Sequence, residues 1–267
     1  KLVNKDHSYG FVVSHRGDWL RYPENSIAAI KSSFAHGTDI VEIDVQKTRD
    51  GILVLSHDET LDRCTDGTGR IDALKYKAIK ALHLKDKDGR ITAQTMPTLE
   101  EALLTCKGKV MVNIDKGDRF IEEIMQVLQK TGTEDIAILK SYKTPAEVKA
   151  LYGKYLGKIL YMPAINLDSP NALEILETFD KELAPFAYEL NYKKNETLAI
   201  KAHDLIKNQS LLWFNSLNGR NFGHDDFRSL SCPEEGFGYI IKNYHANIIQ
   251  TDFPEGLVKY YKKEGLR

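Results

Sequence analysis

The sequence predicts a (β/α)8 barrel, a TIM barrel, on three observations. Short apolar runs rich in β-branched residues recur along the chain, and helical patterns fall between them. Eight such pairs at ~30 residues each account for a chain of 267 residues. The runs lie at 11–15, 39–45, 52–57, 109–115, 135–140, 158–163, 185–190, 210–215 and 246–252. The third differs in kind, because only 46–51 separates Val45 from Ile52, too little chain for the crossover that a parallel neighbour needs. It reads as a hairpin return through Asp50-Gly51, with Arg49 opposite Ile52, so that paired numbers sum to 101 and Asp44 faces His57. Eight parallel strands remain.

Helices are predicted over 25–36, 98–106, 118–131, 144–153, 168–180, 194–208, 236–244 and 254–264. In the first, Asn25 is the candidate cap, Ile27, Ile30 and Phe34 form the inward stripe, and Gly37 ends it. In the last, Pro254 stands in the first turn and Leu257, Tyr260 and Tyr261 point inward. The stretch 58–97 is too long and too polar for a plain loop, with turns at Asp66-Gly67 and Asp88-Gly89. It is expected to be an insertion packed over the barrel mouth, giving a single domain of 1–267 with an insertion at about 46–97.

Composition excludes several classes. Lys+Arg 37 against Asp+Glu 38 gives a net charge of -1, so no global basic field exists to coat nucleic acid or hold an anionic membrane. No apolar run approaches the ~18 residues of a membrane span, so no integral membrane segment is expected. Cys64, Cys106 and Cys232 are an odd number at wide spacing, which argues against a disulfide framework or a structural zinc site. The chain begins at Lys1 rather than Met, which leaves the compartment open but tilts expectation toward a secreted or periplasmic location.

In such a barrel chemistry sits where strands end and βα loops begin. Strand 1 ends in His15-Arg16-Gly17, and strand 2 carries Glu42 and Asp44 two residues apart, on one face. Strand 3 ends in Asp115, with Asn113 on the same face, and the hairpin return brings in His57. A lone acid at a strand end is usually a solvated rim charge. Three carboxylates converging beside two histidines repel one another unless a cation sits among them. All-oxygen ligation fits one divalent cation, Mg²⁺ or Ca²⁺ with Mn²⁺ possible, and argues against zinc. Arg16 is either a salt-bridge partner of Glu42 or a planar clamp for phosphate oxygens.

The order His15-Arg16-Gly17, Pro23-Glu24-Asn25, Glu42-Ile43-Asp44-Val45, Asp50-Gly51, Val54-x-x-His57-Asp58, Leu61-Asp62-Arg63 and Thr251-Asp252-x-Pro254 resembles the glycerophosphodiester phosphodiesterases. The resemblance returns at 97–101, at 109–115 and at Trp213. It implies a divalent metal on Glu42, Asp44 and Asp115, His15 and His57 as general acid and base, and substrate contacts from Arg16 and Trp213. The family usually has Glu-x-Lys on strand 3, whereas this chain reads Asn113-Ile114-Asp115-Lys116-Gly117. Lys116 is expected to fill the lysine's place because the strand breaks at Asp115 under Gly117, with Lys140 at the end of strand 4 as the alternative. His224-Asp225-Asp226 reads as a helix-capping group and otherwise as a substrate or second cation contact.

The function expected is a metal-dependent phosphodiesterase that cleaves small glycerophosphodiesters to glycerol phosphate and an alcohol. The rival is a phospholipase D-like or cyclising lyase activity on lysophospholipids, whose acyl groove would draw on Phe222, Phe227, Phe237 and Tyr239. A non-catalytic binding barrel is a further alternative. A carbohydrate hydrolase fits worse, since carboxylates two apart on one strand do not flank a sugar ring.

Overall fold

The computed structural model describes residues 2, 4–206 and 210–267. Its strands are β1 (Phe11–Ser14), β2 (Ile40–Lys47), β3 (Leu53–Leu55), β4 (His83–Lys85), β5 (Ile91–Thr95) and β6 (Met111–Asp115). After them come β7 (Ala137–Ser141), β8 (Leu160–Asn166), β9 (Ala187–Asn191), β10 (Leu211–Asn215) and β11 (Ile248–Thr251). The sheet order is β1-β11-β10-β9-β8-β7-β6-β2-β3 with β1 also pairing β2, which closes eight strands into the barrel and leaves β3 antiparallel on β2. The chain divides into two compact units, 14–139 and 1–13 with 140–267.

In the 14–139 unit, β2 is buried along nearly its whole length, on both faces. That pattern suits an inner strand covered by helices outside. Its parallel register on β6 sets Glu42 beside Asn113 and Asp44 beside Asp115. The helices are α1 (Ile27–Ala35), α2 (Tyr76–Ile79), α3 (Leu99–Cys106) and α4 (Ile121–Thr131). Ser26, not Asn25, caps α1: its hydroxyl accepts from Ala29 N at 3.0 Å. Asn25 sits in left-handed backbone at φ 58°, and its amide is spent on β2 instead. The buried face of α1 is Ala29, Ile30 and Ser33, and Gly37 at φ 89° stops the helix. The helix predicted from 118 begins at Ile121, behind a 3-10 turn at Gly117–Arg119.

The hairpin departs from its predicted register by one residue. Val45 pairs Leu55, Gln46 pairs Val54 and Lys47 pairs Leu53, so paired numbers sum to 100. Thr48 N donates to Ile52 O at 2.9 Å across a three-residue loop, in which Gly51 takes φ 83°. Three-residue hairpin loops place a left-handed residue at their end, and Gly51 supplies it. Asp44 therefore lies opposite Ser56, whose N donates to Asp44 O at 3.1 Å, and the predicted pairing with His57 does not form. The insertion builds a small core of its own, with Leu61, Ile71, Ile79, Leu84 and Met96 packed on Val54 of β3.

In the second unit the helices are α5 (Pro145–Tyr152), α6 (Ala172–Glu182), α7 (Glu196–Leu205), α8 (Asp226–Ser231), α9 (Phe237–Tyr244) and α10 (Pro254–Lys263). Residues 207 and 208, where the helix predicted over 194–208 ends, lie outside the described residues. Leu257, Val258, Tyr260 and Tyr261 of α10 face inward, and α8 is a short helix that no apolar periodicity announced.

Gly17 and Gly51 separate two reasons for glycine. Both have positive φ, but a Cβ at Gly17 would stand 2.8 Å from Ala29 Cβ, whereas one at Gly51 meets nothing within 4 Å. Gly51→Ala is expected to cost ~1 kcal/mol from backbone strain alone. Gly17→Ala should cost a further 1–3 kcal/mol, roughly, for the overlap with α1. Urea midpoints of the two variants check the difference.

Candidate active site

Within the 14–139 unit, Glu42, Asp44 and Asp115 each offer a carboxylate oxygen, all within 4.8 Å of one another. Alternation along β2 puts Glu42 and Asp44 on one face, and the β2–β6 register brings Asp115 beside Asp44. Glu42 and Asp44 are each 1% exposed. Like charges so close and so dry demand compensation.

Around Asp44 the chain supplies it from three residues. Lys116 Nζ lies 3.1 Å from Asp44 Oδ1 and also donates to the His57 carbonyl. Asn25 Nδ2 donates to Asp44 Oδ2 at 3.0 Å, while Asn25 Oδ1 accepts from Asp44 N at 3.0 Å. Arg16 Nε stands 3.6 Å from Asp44 Oδ2, its Nη1 reaches Glu24 Oε1 at 3.2 Å, and its backbone N donates to Glu42 Oε2 at 2.8 Å. Arg16 thus serves both Glu42 and Asp44. β6 ends at Asp115, and Lys116 turns at once into left-handed backbone, φ 59°, with its N donating to Asp115 Oδ1 at 2.7 Å. The break is made by Lys116 itself. Gly117 is needed for space: a Cβ there would meet Ile124 Cδ1 at 2.8 Å.

His15 follows β1 directly. His57 lies two residues beyond β3, its side chain 38% exposed, with Nδ1 2.7 Å from Asp58 Oδ1. Its carbonyl, accepting from Lys116 Nζ and from Gln46 Nε2 at 3.4 Å, ties it to the cluster. Asp58 and Glu24 share Arg63, which donates to Asp58 Oδ2 at 2.7 Å and to Glu24 Oε2 and Oε1 at 2.7 and 2.8 Å. The Arg63 hydrogen bond holds the Asp58 carboxyl well below its usual range against the effect of burial, and His57 adds to it. At Glu24 burial pushes upward, but Arg63, Arg16 and His57 outweigh it and the carboxyl is lowered. Sequence reasoning missed Asn25, Glu24, Asp58 and Arg63 as chemistry. Their only signal was the motif resemblance, because hydrogen-bond partners across loops leave no periodicity.

Two other predicted contacts lie in the second unit. Lys140 is 8% exposed and pairs with Glu189 Oε2 at 2.8 Å. Trp213 is fully buried, with Nε1 donating to Asn215 Oδ1 at 2.9 Å, and Asn215 Nδ2 donates to Glu189 Oε1 at 2.9 Å. In the 224–226 group, Asp225 caps α8, accepting from Arg228 N at 3.1 Å, and His224 stacks on Tyr239 at 3.4 Å. Asp226 accepts from Ser216 Oγ, Thr251 Oγ1 and Asp252 N at 2.6, 2.6 and 2.8 Å. Burial pushes its carboxyl up to about 7 although all three donors pull the other way.

The donor set of Glu42, Asp44 and Asp115 is that of a hard divalent cation. Asn113 adds a second indication: it flanks Glu42 in register, and its buried Nδ2 and Oδ1 have no hydrogen-bond partner. Buried orphan amides call for a missing water or ion, and the waters of a hydrated cation would satisfy this one.

A family model described as the glycerophosphoryl diester phosphodiesterase family matches residues 15–154. A second model, a domain of unknown function, matches 161–261. A glycerophosphodiester phosphodiesterase of Caldanaerobacter subterraneus is 35% identical over 139 residues, 49% of this chain and 57% of that protein. Human glycerophosphodiester phosphodiesterase 1 is 41% identical over 99 residues, 35% of this chain and 29% of that protein. The chain thus spans about half the length of these relatives, or less. A glycerophosphoryl diester phosphodiesterase structure from Parabacteroides distasonis superposes with TM-score 0.81 at 23% identity, covering 98% of this chain and 91% of that one. An Oleispira antarctica phosphodiesterase in complex with the product sn-glycerol-3-phosphate matches at TM-score 0.71 and 20% identity, covering 95% and 97%. At these identities both show a shared fold.

Arg63 gives a pH test. Asp58 and Glu24 are lowered from 3.8 and 4.5, so their contribution to stability is complete above those values and is lost as pH falls below them. Arg63→Ala removes the main cause. The stability gap between wild type and variant should be constant above about pH 5 and should close below about pH 4. Urea midpoints from pH 7 to pH 3 measure it.

Proposed function

Because the chain belongs to the glycerophosphoryl diester phosphodiesterase family, we propose that it hydrolyses glycerophosphodiesters to glycerol phosphate and an alcohol. One observation carries the reading: the matched span 15–154 holds the whole Glu42, Asp44 and Asp115 cluster together with His15, Arg16, His57 and Lys116. The Oleispira protein's named product, sn-glycerol-3-phosphate, is the product expected here.

Glu42, Asp44 and Asp115 would hold Mg²⁺ or Ca²⁺, with Mn²⁺ as a third choice, and the bound ion would supply positive charge to a phosphate oxygen. The chain's own part is positional. Arg16 offers a planar donor group that faces Asp44 and Glu24, and phosphate oxygens suit the same geometry. Lys116 adds a point charge 3.1 Å from Asp44 that meets the charge developing on the phosphorus substituents. Asp58 orients His57 through Nδ1, which leaves Nε2 for proton transfer. One of His15 and His57 takes the proton of the attacking hydroxyl, and the other protonates the departing alkoxide. Lys140 and Trp213, committed to Glu189 and Asn215, are the weaker candidates for substrate contact.

The acyl groove of the lysophospholipid reading finds less support. Phe237 is 3% exposed and Tyr239 stacks on His224, which leaves Phe222 and Phe227 facing solvent.

His15→Ala and His57→Ala should each lower turnover of a glycerophosphodiester by about 10² to 10⁴ with folding intact. A p-nitrophenyl diester should restore activity to the variant lacking the acid only. Asp44→Asn should abolish turnover and weaken cation binding measured by calorimetry. A metal-depleted protein that is equally active before and after Mg²⁺, Ca²⁺ or Mn²⁺ is returned would sink the reading.

A further inference from the structure

We propose that a pocket which Gln46 joins to the His57 carbonyl is the subsite for the alcohol of the diester, and that it selects a neutral polyol such as an inositol or glycerol head group. This rests on the phosphodiesterase reading. The pocket, of about 260 Å³, lies within the 14–139 unit, and its lining includes Gln46, Lys47, Glu59, Arg70, Asp72, Arg119 and Phe120. Gln46 continues the Glu42 and Asp44 face of β2, two residues and ~7 Å beyond Asp44, about the reach of a ring joined to a phosphate at the cluster. Its Nε2 donates to the His57 carbonyl at 3.4 Å and its Oε1 accepts from Arg119 Nη2 at 3.1 Å, so one side chain joins pocket and histidine.

The walls alternate donors and acceptors. Arg119 Nη1 donates to Glu59 Oε1 at 3.2 Å, Arg70 Nη1 to Glu59 Oε2 at 3.2 Å, and Arg70 Nε and Nη2 to Asp72 at 2.9 and 2.7 Å. Each guanidinium already faces a carboxylate, and the third cation of the lining, Lys47, is paired with Glu123 Oε1 at 2.7 Å outside it, so no unpaired positive charge is left to favour an anionic head group. A quaternary ammonium is disfavoured for the opposite reason. It would need the open face of an aromatic ring, and Phe120 already has Lys47 Nζ and Arg119 Cζ, each 5.1 Å from its centroid. Hydroxyl groups suit such walls, since each both donates to a carboxylate and accepts from a guanidinium.

The test compares kcat/KM for glycerophosphoinositol and glycerophosphoglycerol with that for glycerophosphocholine, in wild type, Arg119→Gln and Glu59→Gln. Both residues are solvent-exposed, so the variants should fold. Wild type should prefer the polyol diesters by about tenfold or more, and each variant should bring that ratio toward one, chiefly through a raised KM. A second arm needs no turnover: Asp44→Asn protein should bind glycerophosphoinositol more tightly than glycerophosphocholine by calorimetry, and adding Arg119→Gln should erase the difference. Hydrolysis of bis(p-nitrophenyl) phosphate reports separately on the phosphodiesterase reading. The subsite is overturned if glycerophosphocholine is turned over or bound as well as the polyol diesters, or if neither variant moves the ratio.

Discussion

The charge on Asp44 is the constraint around which the 14–139 unit is built. Two carboxylates at the cluster's 4.8 Å limit repel by roughly 3 kcal/mol at an effective dielectric of 20, and Asp44 has two such neighbours. Lys116, Arg16 and Asn25 converge on it. All three sit in left-handed backbone, at φ 59°, 52° and 58°. For a residue other than glycine this costs of order 1–3 kcal/mol and persists only where the surroundings impose it. Here the reason is geometric. Arg16 and Lys116 stand just past the ends of β1 and β6 and must turn sideways to reach Asp44 on β2, Asn25 must do so from the loop before α1, and a left-handed residue redirects the chain within one step. Relief of the repulsion outweighs the strain, which is therefore tolerated three times in one site. The same residues serve the neighbouring carboxylates through their backbone, Arg16 N donating to Glu42 Oε2 at 2.8 Å and Lys116 N to Asp115 Oδ1 at 2.7 Å.

Period-two alternation made much of this legible in advance. Glu42 and Asp44 had to share a face, and Asp115 ended the adjacent strand of the βα series, so the cluster followed from pattern alone. The hairpin did not. Asp50-Gly51 reads equally as a two-residue turn or as the end of a three-residue loop, and the choice shifts every pair by one. The three-residue loop won because Gly51 alone then carries the positive φ, whereas the two-residue turn would also force Asp50 into left-handed backbone. His57 therefore reaches the cluster through its carbonyl and its neighbour Asp58 rather than across the ladder from Asp44. Asn25 was misread as a cap for a related reason: Ser26 one residue later does that work, and Asn25's amide serves a strand nineteen residues away. Propensity sees the residue type and not its distant partner.

Polar residues at strand ends do not by themselves mark chemistry, and the second unit makes the contrast. Lys140, Glu189, Asn215 and Trp213 form a chain in which the charges are paired and the amide is bonded on both sides. Asp226 accepts from three donors and, burial prevailing over them, rises to about 7. These groups satisfy one another. The Glu42, Asp44 and Asp115 cluster gathers three like charges in one place, and beside it Asn113 keeps two buried polar atoms without partners. Incomplete satisfaction in a buried place is the sign of a site that awaits something.

The face of β2 that carries Glu42 and Asp44 also carries Gln46, so the proposed reaction and the proposed recognition share one rigid element. Gln46 touches the His57 carbonyl on one side and Arg119 on the other. A head group engaging Arg119 and Glu59 would thereby be held in register with the histidine, because pairing with Val54 of β3 fixes the backbone of Gln46. The residues that would set selectivity, Glu59, Arg70 and Arg119, lie outside that strand, on the insertion and on the turn before α4. Changing them alters the pocket without disturbing the spacing of the carboxylates. Under the proposed function, a scaffold divided in this way would keep one reaction while its alcohol varies, the strand holding the place of the phosphate and the loops selecting what is attached to it.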